Sequence, residues 1–308
     1  MHYGVVYFSV RFTVLRGFSM TAAFALATCF LWGLADFGGG LLTRRLPALT
    51  VVVVSQTLAA LVLGGIVLAT GGWREAGPQL WFAVGAGVVG PAAMLCFYRA
   101  LALGPMGVVS PLGSVGTVLV PLGVGIVAGE RPGLLQAAGI VVAVIGVLLA
   151  GGPRLGGTSV ARRTIALTLF SALGFGAVMA LIAEASTTVS GLFLALFVQR
   201  VCNVAVGGAA LFAAVRRGVP ALPEGGLPAL RGALPALAFI GIADVAANGT
   251  YAIAAQHGPV TMAAVLASLY PVVTTLAALG VLKERMRAVQ TAGASLALVG
   301  SVMLATHG

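Results

Sequence analysis

Three charged side chains lie well inside apolar runs of this chain: Asp36, Arg200 and Asp244. A charge in apolar surroundings is costly, so such residues usually face the interior of a helical bundle or a water-filled cavity. A carboxylate in such a place could hold a proton or a cation, and a guanidinium could hold a carboxylate through two parallel hydrogen bonds. These three residues are therefore the first candidates for binding chemistry.

Asp244 begins a polar stripe in the segment "GIADVAANGTYAIAAQHG". Asn248 and Tyr251 follow it at i+4 and i+7, which places all three on one face of a helix. We expect this stripe to face a substrate. The alternative is a cluster of hydrogen bonds between helices, because aspartate and asparagine also join packed helices in apolar surroundings.

Asp36 follows Trp32 by four residues in "FLWGLADFGGG", so the two share one face of a helix. Asp36 could bind a proton or a cationic substrate group, and Trp32 could form an aromatic surface beside it. The alternatives are an interfacial or capping carboxylate close to Arg44 and Arg45, and a tryptophan that faces lipid.

Arg200 falls about halfway along an apolar run, in "FVQRVCN", and needs a partner. Asp244 could form an ion pair with it, or a substrate carboxylate could take that place. Gln199 is adjacent, Asn203 follows at i+3, and Gln56 occupies the corresponding position of an earlier run. We expect this polar segment to line a path for the substrate.

The composition is that of a membrane protein. Hydrophobic residues make up 60% of the chain, charged residues 8%, and the mean hydropathy is +1.10. Apolar runs of about 20 residues, enough to cross a bilayer as a helix, recur from end to end without the alternation of barrel strands. The net charge of +10 comes from arginines between these runs, where they set membrane topology, so we expect no nucleic-acid partner. The three cysteines have no metal-ligand spacing, and we expect neither metal nor cofactor.

Charged residues, prolines and glycines divide the chain into ten candidate transmembrane helices, with the polar segment 216–231 as the longest loop. The predicted helices are 21–42, 48–70, 79–103, 106–128, 133–151, 164–185, 190–215, 233–256, 260–282 and 287–306. The first 20 residues are too short and too interrupted for a clean span or signal peptide, so we expect an N-terminal tail, with Met20 as an alternative start.

The sequence contains an internal repeat. "GERPGLLQAAG" at 129–139 returns as "KERMRAVQTAG" at 283–293, a separation of 154 residues, and Gly104-Pro105 returns as Gly258-Pro259. Earlier in each half a separation of 143 works better and places Trp32 on Phe175. Five spans per copy is an odd number, so the second copy must enter the membrane from the opposite side. The sequence therefore predicts inverted repeats, an architecture typical of secondary transporters.

This arrangement, with "P…GER" or "P…KER", then glutamine, then "AG" in each half, resembles the EamA family of the drug/metabolite transporter superfamily. The resemblance covers about residues 21–306 and implies an all-α integral membrane protein with EamA-like repeats at 21–152 and 163–306. It also implies export of small metabolites, amino acids or drugs across the cytoplasmic membrane, by alternating access between the halves. We expect a monomer or homodimer.

The sequence gives no indication that ATP hydrolysis drives transport. No GxxxxGK[ST] phosphate loop is present, so proton coupling, antiport or facilitated movement would give transport its direction. The alternatives to a transporter are a membrane-embedded enzyme, for which no converging catalytic or metal groups are present, and a membrane scaffold or sensor, which predicts a soluble domain.

The sequence gives two opposite expectations for orientation. With ten spans, four basic residues fall on the side of the termini and eleven on the other side. The positive-inside rule therefore places both termini outside. The resemblance implies that both termini lie inside.

Overall fold

The computed structural model describes residues 2–127, 133–150, 161–185, 188–257, 263, 266–283 and 285–305. These residues form ten α-helices and one short 3₁₀ helix, Gly72–Glu75, and contain no strand. The α-helices are α1 His2–Thr43, α2 Ala48–Thr70, α3 Leu80–Leu103, α4 Met106–Val127, α5 Leu134–Ala150, α6 Arg162–Ala185, α7 Val189–Arg216, α8 Gly226–His257, α9 Tyr270–Val281 and α10 Ala288–Ala305.

Most helix boundaries match the sequence prediction, but α1 does not. Helices α2 to α7 and α10 begin and end within two residues of their predicted limits. Helix α1 starts at His2 instead of residue 21, so residues 2–20 continue the first predicted span as helix. The chain has no proline before Pro47, and nothing in this stretch removes a backbone donor or forces the helix to end.

Helix α8 begins at Gly226, inside the segment 216–231 that the sequence predicts to be a loop. Two residues with positive φ, Gly225 at 96° and Gly226 at 65°, turn the chain into the helix. Pro228 lies in the first turn, where the backbone N–H groups have no partner within the helix, so its missing donor costs little. The polar loop is therefore shorter than predicted.

The ninth predicted span, 260–282, is interrupted. Ala263, Leu266 and Ala267 are helical, a turn follows at 268–269, and α9 starts at Tyr270. Pro271 explains the interruption, because a proline inside a helix lacks the donor and its ring collides with the carbonyl four residues earlier. At the start of a helix the same residue is tolerated. Residues 258–262, 264 and 265 lie outside the described residues.

The helices pack in pairs that correspond between the two halves. Each helix of the first half corresponds to the helix five positions later. Helix α1 packs on α8, and its counterpart α6 packs on α3; likewise α2 packs on α8, and α7 packs on α3. Two pairs of counterparts, α2 with α7 and α5 with α10, pack on each other. The contact pattern is therefore largely preserved when each helix is exchanged for the one five positions away.

Glycine contacts repeat in the same way. A Cβ on Gly146 would lie 2.3 Å from the backbone nitrogen of Ala297, and a Cβ on Gly300 would lie 2.4 Å from that of Ala143. Both residues of each contact are separated from their counterparts by 154 positions. Small residues let helices approach backbone to backbone, so these reciprocal contacts hold α5 against α10.

Among the residues that the structure describes, six helical segments are long and apolar enough to cross a membrane: Met20–Thr43, Ala48–Thr70, Leu80–Leu103, Arg162–Ala185, Val189–Arg216 and Gly226–His257. Their outward faces carry large apolar side chains, among them Leu68, Leu61 and Phe170. Their inward faces carry most of the buried polar residues. The apolar face is thus directed outward and the polar face inward, as a bundle surrounded by lipid requires.

Candidate functional site

The centre of the bundle contains an ion pair between α7 and α8. The guanidinium Nη2 of Arg200 donates to the Oδ2 carboxylate oxygen of Asp244. The Arg200 side chain is 9% exposed and the Asp244 side chain 24%, so the arginine is the more deeply buried partner. Asp244, one of the two partners expected for Arg200, therefore pairs with it.

A second polar contact joins the two halves beside this pair. Asn203 Nδ2 of α7 donates to Gln56 Oε1 of α2 over 2.9 Å, and both side chains are fully buried. Gly90 of α3 makes room for the amide, because a Cβ there would lie 2.5 Å from Asn203 Oδ1. Gly90 is the counterpart of Asp244 in the internal repeat. We call Gln56, Gln199, Arg200, Asn203 and Asp244 the polar layer. The two halves of the chain therefore differ in sequence at the place where the polar layer forms.

Several buried atoms of the polar layer lack a hydrogen-bond partner among the described residues. They are Gln199 Oε1, Arg200 Nε and Asn203 Oδ1. A buried polar atom without a partner costs about 1–3 kcal/mol, so native proteins rarely leave one unsatisfied. One donor and two acceptors are thus available for water or for polar groups of a ligand.

Three aromatic side chains form a cluster beside the polar layer. The Trp32 ring of α1 lies 6.2 Å from the Tyr251 ring of α8 and 6.0 Å from the Tyr270 ring of α9, measured between centroids. These distances fall in the range of favourable aromatic pairs. All three side chains are only partly buried. This aromatic cluster, Trp32, Tyr251 and Tyr270, joins the interrupted ninth span to α1 and α8.

Asp36 lies one helical turn after Trp32 and is partly buried. It has no ion-pair partner in the described part of the chain, and its charge is close enough to that of Asp244 for the two carboxylates to repel each other. Arg44 donates to the backbone carbonyl of Leu101 near the end of α1. The Asp36 carboxylate therefore lies close to a charge of the ion pair.

Asn248 has a local hydrogen bond. Its Nδ2 atom donates to the backbone carbonyl of Asp244, 2.7 Å away in the same helix. The stripe predicted from the sequence thus divides: Asp244 pairs with Arg200, Asn248 bonds to its own helix, and Tyr251 contacts Trp32. The predicted residues lie on one side of α8, but they do not form one hydrogen-bonded chain.

Two tyrosines that the sequence pattern did not indicate lie close to the charged residues of the site. Tyr98 of α3 is buried, and the charges of Asp36, Asp244 and Arg200 are close enough to interact with its hydroxyl group. The hydroxyl group of Tyr270 interacts in the same way with the charge of Asp36. Gly39 accommodates the phenol, because a Cβ there would lie 2.7 Å from Tyr98 Oη. Both tyrosines lie within apolar predicted spans, and a buried tyrosine hydroxyl needs a polar neighbour. This position in the sequence was the feature that could have identified them.

Other polar candidates lie away from the site. His257 is exposed at the end of α8, and its Nδ1 atom is 3.0 Å from the carbonyl of Ile253. Arg99 and Glu184 are also exposed. Within the described residues, no three His, Cys, Asp or Glu side chains are grouped as ligands for a metal ion.

Long apolar helices that surround a small polar site define a multi-pass membrane protein. The sequence model of the EamA-like transporter family matches residues 19–152 and 162–306, one match in each half. The chain therefore belongs to the EamA-like transporter family, whose transport role implies a small-molecule substrate and a lipid bilayer.

A solved structure titled "Crystal structure of protein" is similar to this chain at 18% identity. The match covers 92% of this chain and 96% of the other, with a TM-score of 0.58, and it supports the fold. No curated protein matches the chain.

Proposed function

We propose that this chain is a secondary transporter that exports small metabolites, amino acids or drugs across the cytoplasmic membrane by alternating access. The observation that carries the proposal is the polar layer enclosed between two halves whose helix contacts correspond. Exchange of two similar halves between their conformations turns a cavity open to one side into a cavity open to the other. The halves would then be inverted EamA-like repeats at 21–152 and 163–306, with ten helices crossing the membrane.

The proposed substrate-binding surface combines the polar layer with the aromatic cluster and the residues next to them. We assign to it the predicted residues Trp32, Asp36, Gln56, Gln199, Arg200, Asn203, Asp244, Asn248 and Tyr251. Support comes from the buried atoms without partners, which a ligand could satisfy, and from the partial exposure of Trp32 and Asp244. Asp36 is the group best placed to take up a proton if transport is coupled to a proton gradient, because it has no counter-charge in the described residues.

Counterflow in proteoliposomes tests this function without knowledge of the energy source. Compounds that raise the melting temperature of the purified protein are first selected from amino acids, metabolites and organic cations. Vesicles loaded with one selected compound should then accumulate its labelled form from outside, because an alternating-access carrier exchanges substrate across the membrane. Arg200→Gln should slow this exchange, and Arg99→Gln, an exposed arginine, is the matched control. Flux that proceeds without exchange would contradict the mechanism.

Orientation and assembly need separate measurements. We propose a cell-membrane protein that is a monomer or homodimer. A reporter active only in the cytoplasm, fused to the C-terminus, decides between the orientation given by the basic residues, with termini outside, and the opposite one. Mass measurement in detergent gives the oligomeric state.

A further inference from the structure

The charges of the site do not balance. Asp36, Asp244 and Arg200 contribute two negative charges and one positive charge, and the positive charge is already paired with Asp244. Asp36 has no counter-ion among the described residues, and the nearby Asp244 adds a repulsive charge. A carboxylate at membrane depth requires neutralisation by a proton or by a cation.

The aromatic cluster favours an organic cation as the neutralising group. Trp32 is one helical turn from Asp36, about 6 Å along the axis, and a cation is attracted to an aromatic face within about 6 Å of its centroid. Trp32, Tyr251 and Tyr270 are all partly exposed, so their rings are not fully covered by other side chains. A carboxylate one turn from Trp32 and close to Tyr270, in a cluster that Tyr251 completes, matches an ammonium group attached to an apolar body.

An anion would find a poorer site. Arg200 is 9% exposed and its Nη2 atom is already held by Asp244, so an incoming carboxylate would have to displace that residue. The Nε donor is buried without a partner among the described residues, as are the acceptors Gln199 Oε1 and Asn203 Oδ1. These groups can bind the polar end of a ligand, but they supply no additional free charge.

We propose that this site binds an organic cation, with its ammonium group at Asp36 and its apolar body against Trp32, Tyr251 and Tyr270. The inference rests on the proposed transport function in one respect: it takes the bound cation to be the substrate that is transported. Binding itself can be measured without transport.

The protein contains a suitable reporter. Its three tryptophans are Trp32, Trp73 and Trp81, and the last two are exposed away from the site. The double variant Trp73→Phe and Trp81→Phe leaves Trp32 as the only tryptophan. Its fluorescence in detergent is then titrated with 2-phenylethylammonium, benzyltrimethylammonium and tetraphenylphosphonium. The matched anion is 3-phenylpropionate and the matched neutral compound is 2-phenylethanol.

We expect a saturable change of Trp32 fluorescence with at least one cation, and binding at least about tenfold weaker for the anion and the neutral compound. Asp36→Asn should weaken cation binding by about tenfold or more, since the charge attraction to the carboxylate is lost and, for 2-phenylethylammonium, a charged hydrogen bond as well. Glu184→Gln removes the same charge from an exposed position and should leave binding unchanged.

Equal binding of 3-phenylpropionate would overturn the proposal, and so would cation binding that Asp36→Asn does not weaken. If Asp36 takes up only a proton, none of the three cations gives a saturable change, and this result also overturns it. The charge preference of the parent protein decides the question even if the Asp36 variant does not fold. Asp36-dependent cation binding without counterflow would reject the transport function alone, whereas counterflow of anions without cation binding would reject this inference alone.

Discussion

Replacement of Asp244 by asparagine leaves the Arg200 guanidinium buried without its counter-charge. Loss of one partner of a fully buried ion pair costs about 3–5 kcal/mol. Asp244 keeps 24% exposure, so water already screens part of the attraction, and we expect about 3 kcal/mol for Asp244→Asn. Arg200→Gln should cost less, about 1–2 kcal/mol, because it leaves the more exposed carboxylate alone.

Unfolding by SDS titration in mixed micelles measures these differences in free energy. The double variant Asp244→Asn with Arg200→Gln should be less destabilised than the sum of the single variants, since the two side chains interact directly. Glu184→Gln and Arg99→Gln, at exposed positions, should each change stability by less than about 0.5 kcal/mol. Additive single effects, or a larger loss for Arg200→Gln than for Asp244→Asn, would refute the reasoning from unequal burial.

Three further predictions concern the contacts between the halves. Gly300→Ala should destabilise the protein by about 1–3 kcal/mol, because its Cβ would lie 2.4 Å from the backbone nitrogen of Ala143. The control Gly280→Ala, where a Cβ would have nothing within 4 Å, should be neutral or stabilising. SDS titration compares the stability of the two variants. Asn203→Leu should cost about 1 kcal/mol by the same assay, through the lost bond to Gln56. Gly90→Ala should displace the Asn203 amide, so its cost should fall in an Asn203→Ala background; equal costs in both backgrounds would contradict that clash.

Local patterns in the sequence were sufficient to predict most helices. Apolar runs bounded by charged residues gave seven helices to within two residues at each end. The exceptions are α1, which no proline before Pro47 interrupts, and α8 and α9, where the result depends on how proline acts at its particular position. Pro228 is tolerated in a first helical turn, while Pro271 coincides with the start of a new helix after an interruption.

The site was predictable only in part. Asp36, Arg200 and Asp244 were identifiable because a charge inside an apolar run is rare, and an ion pair between Arg200 and Asp244 was one of two expected partnerships. Tyr98 and Tyr270 were not selected, since tyrosine is common at membrane interfaces as well as in binding sites. Their closeness to Asp36 depends on which helices are neighbours.

By itself, the sequence determined that the chain enters a bilayer, that its halves repeat and that three charges lie within apolar runs, because hydropathy and repetition are properties of composition and order. Tertiary structure decided which of these groups meet. Gly33 allows α9 so close to α1 that a Cβ there would lie 2.7 Å from the Tyr270 carbonyl oxygen, and Tyr270 thereby reaches Trp32. Such contacts depend on the shapes of two helix surfaces distant in sequence, and periodicity within one helix carries no information about the other.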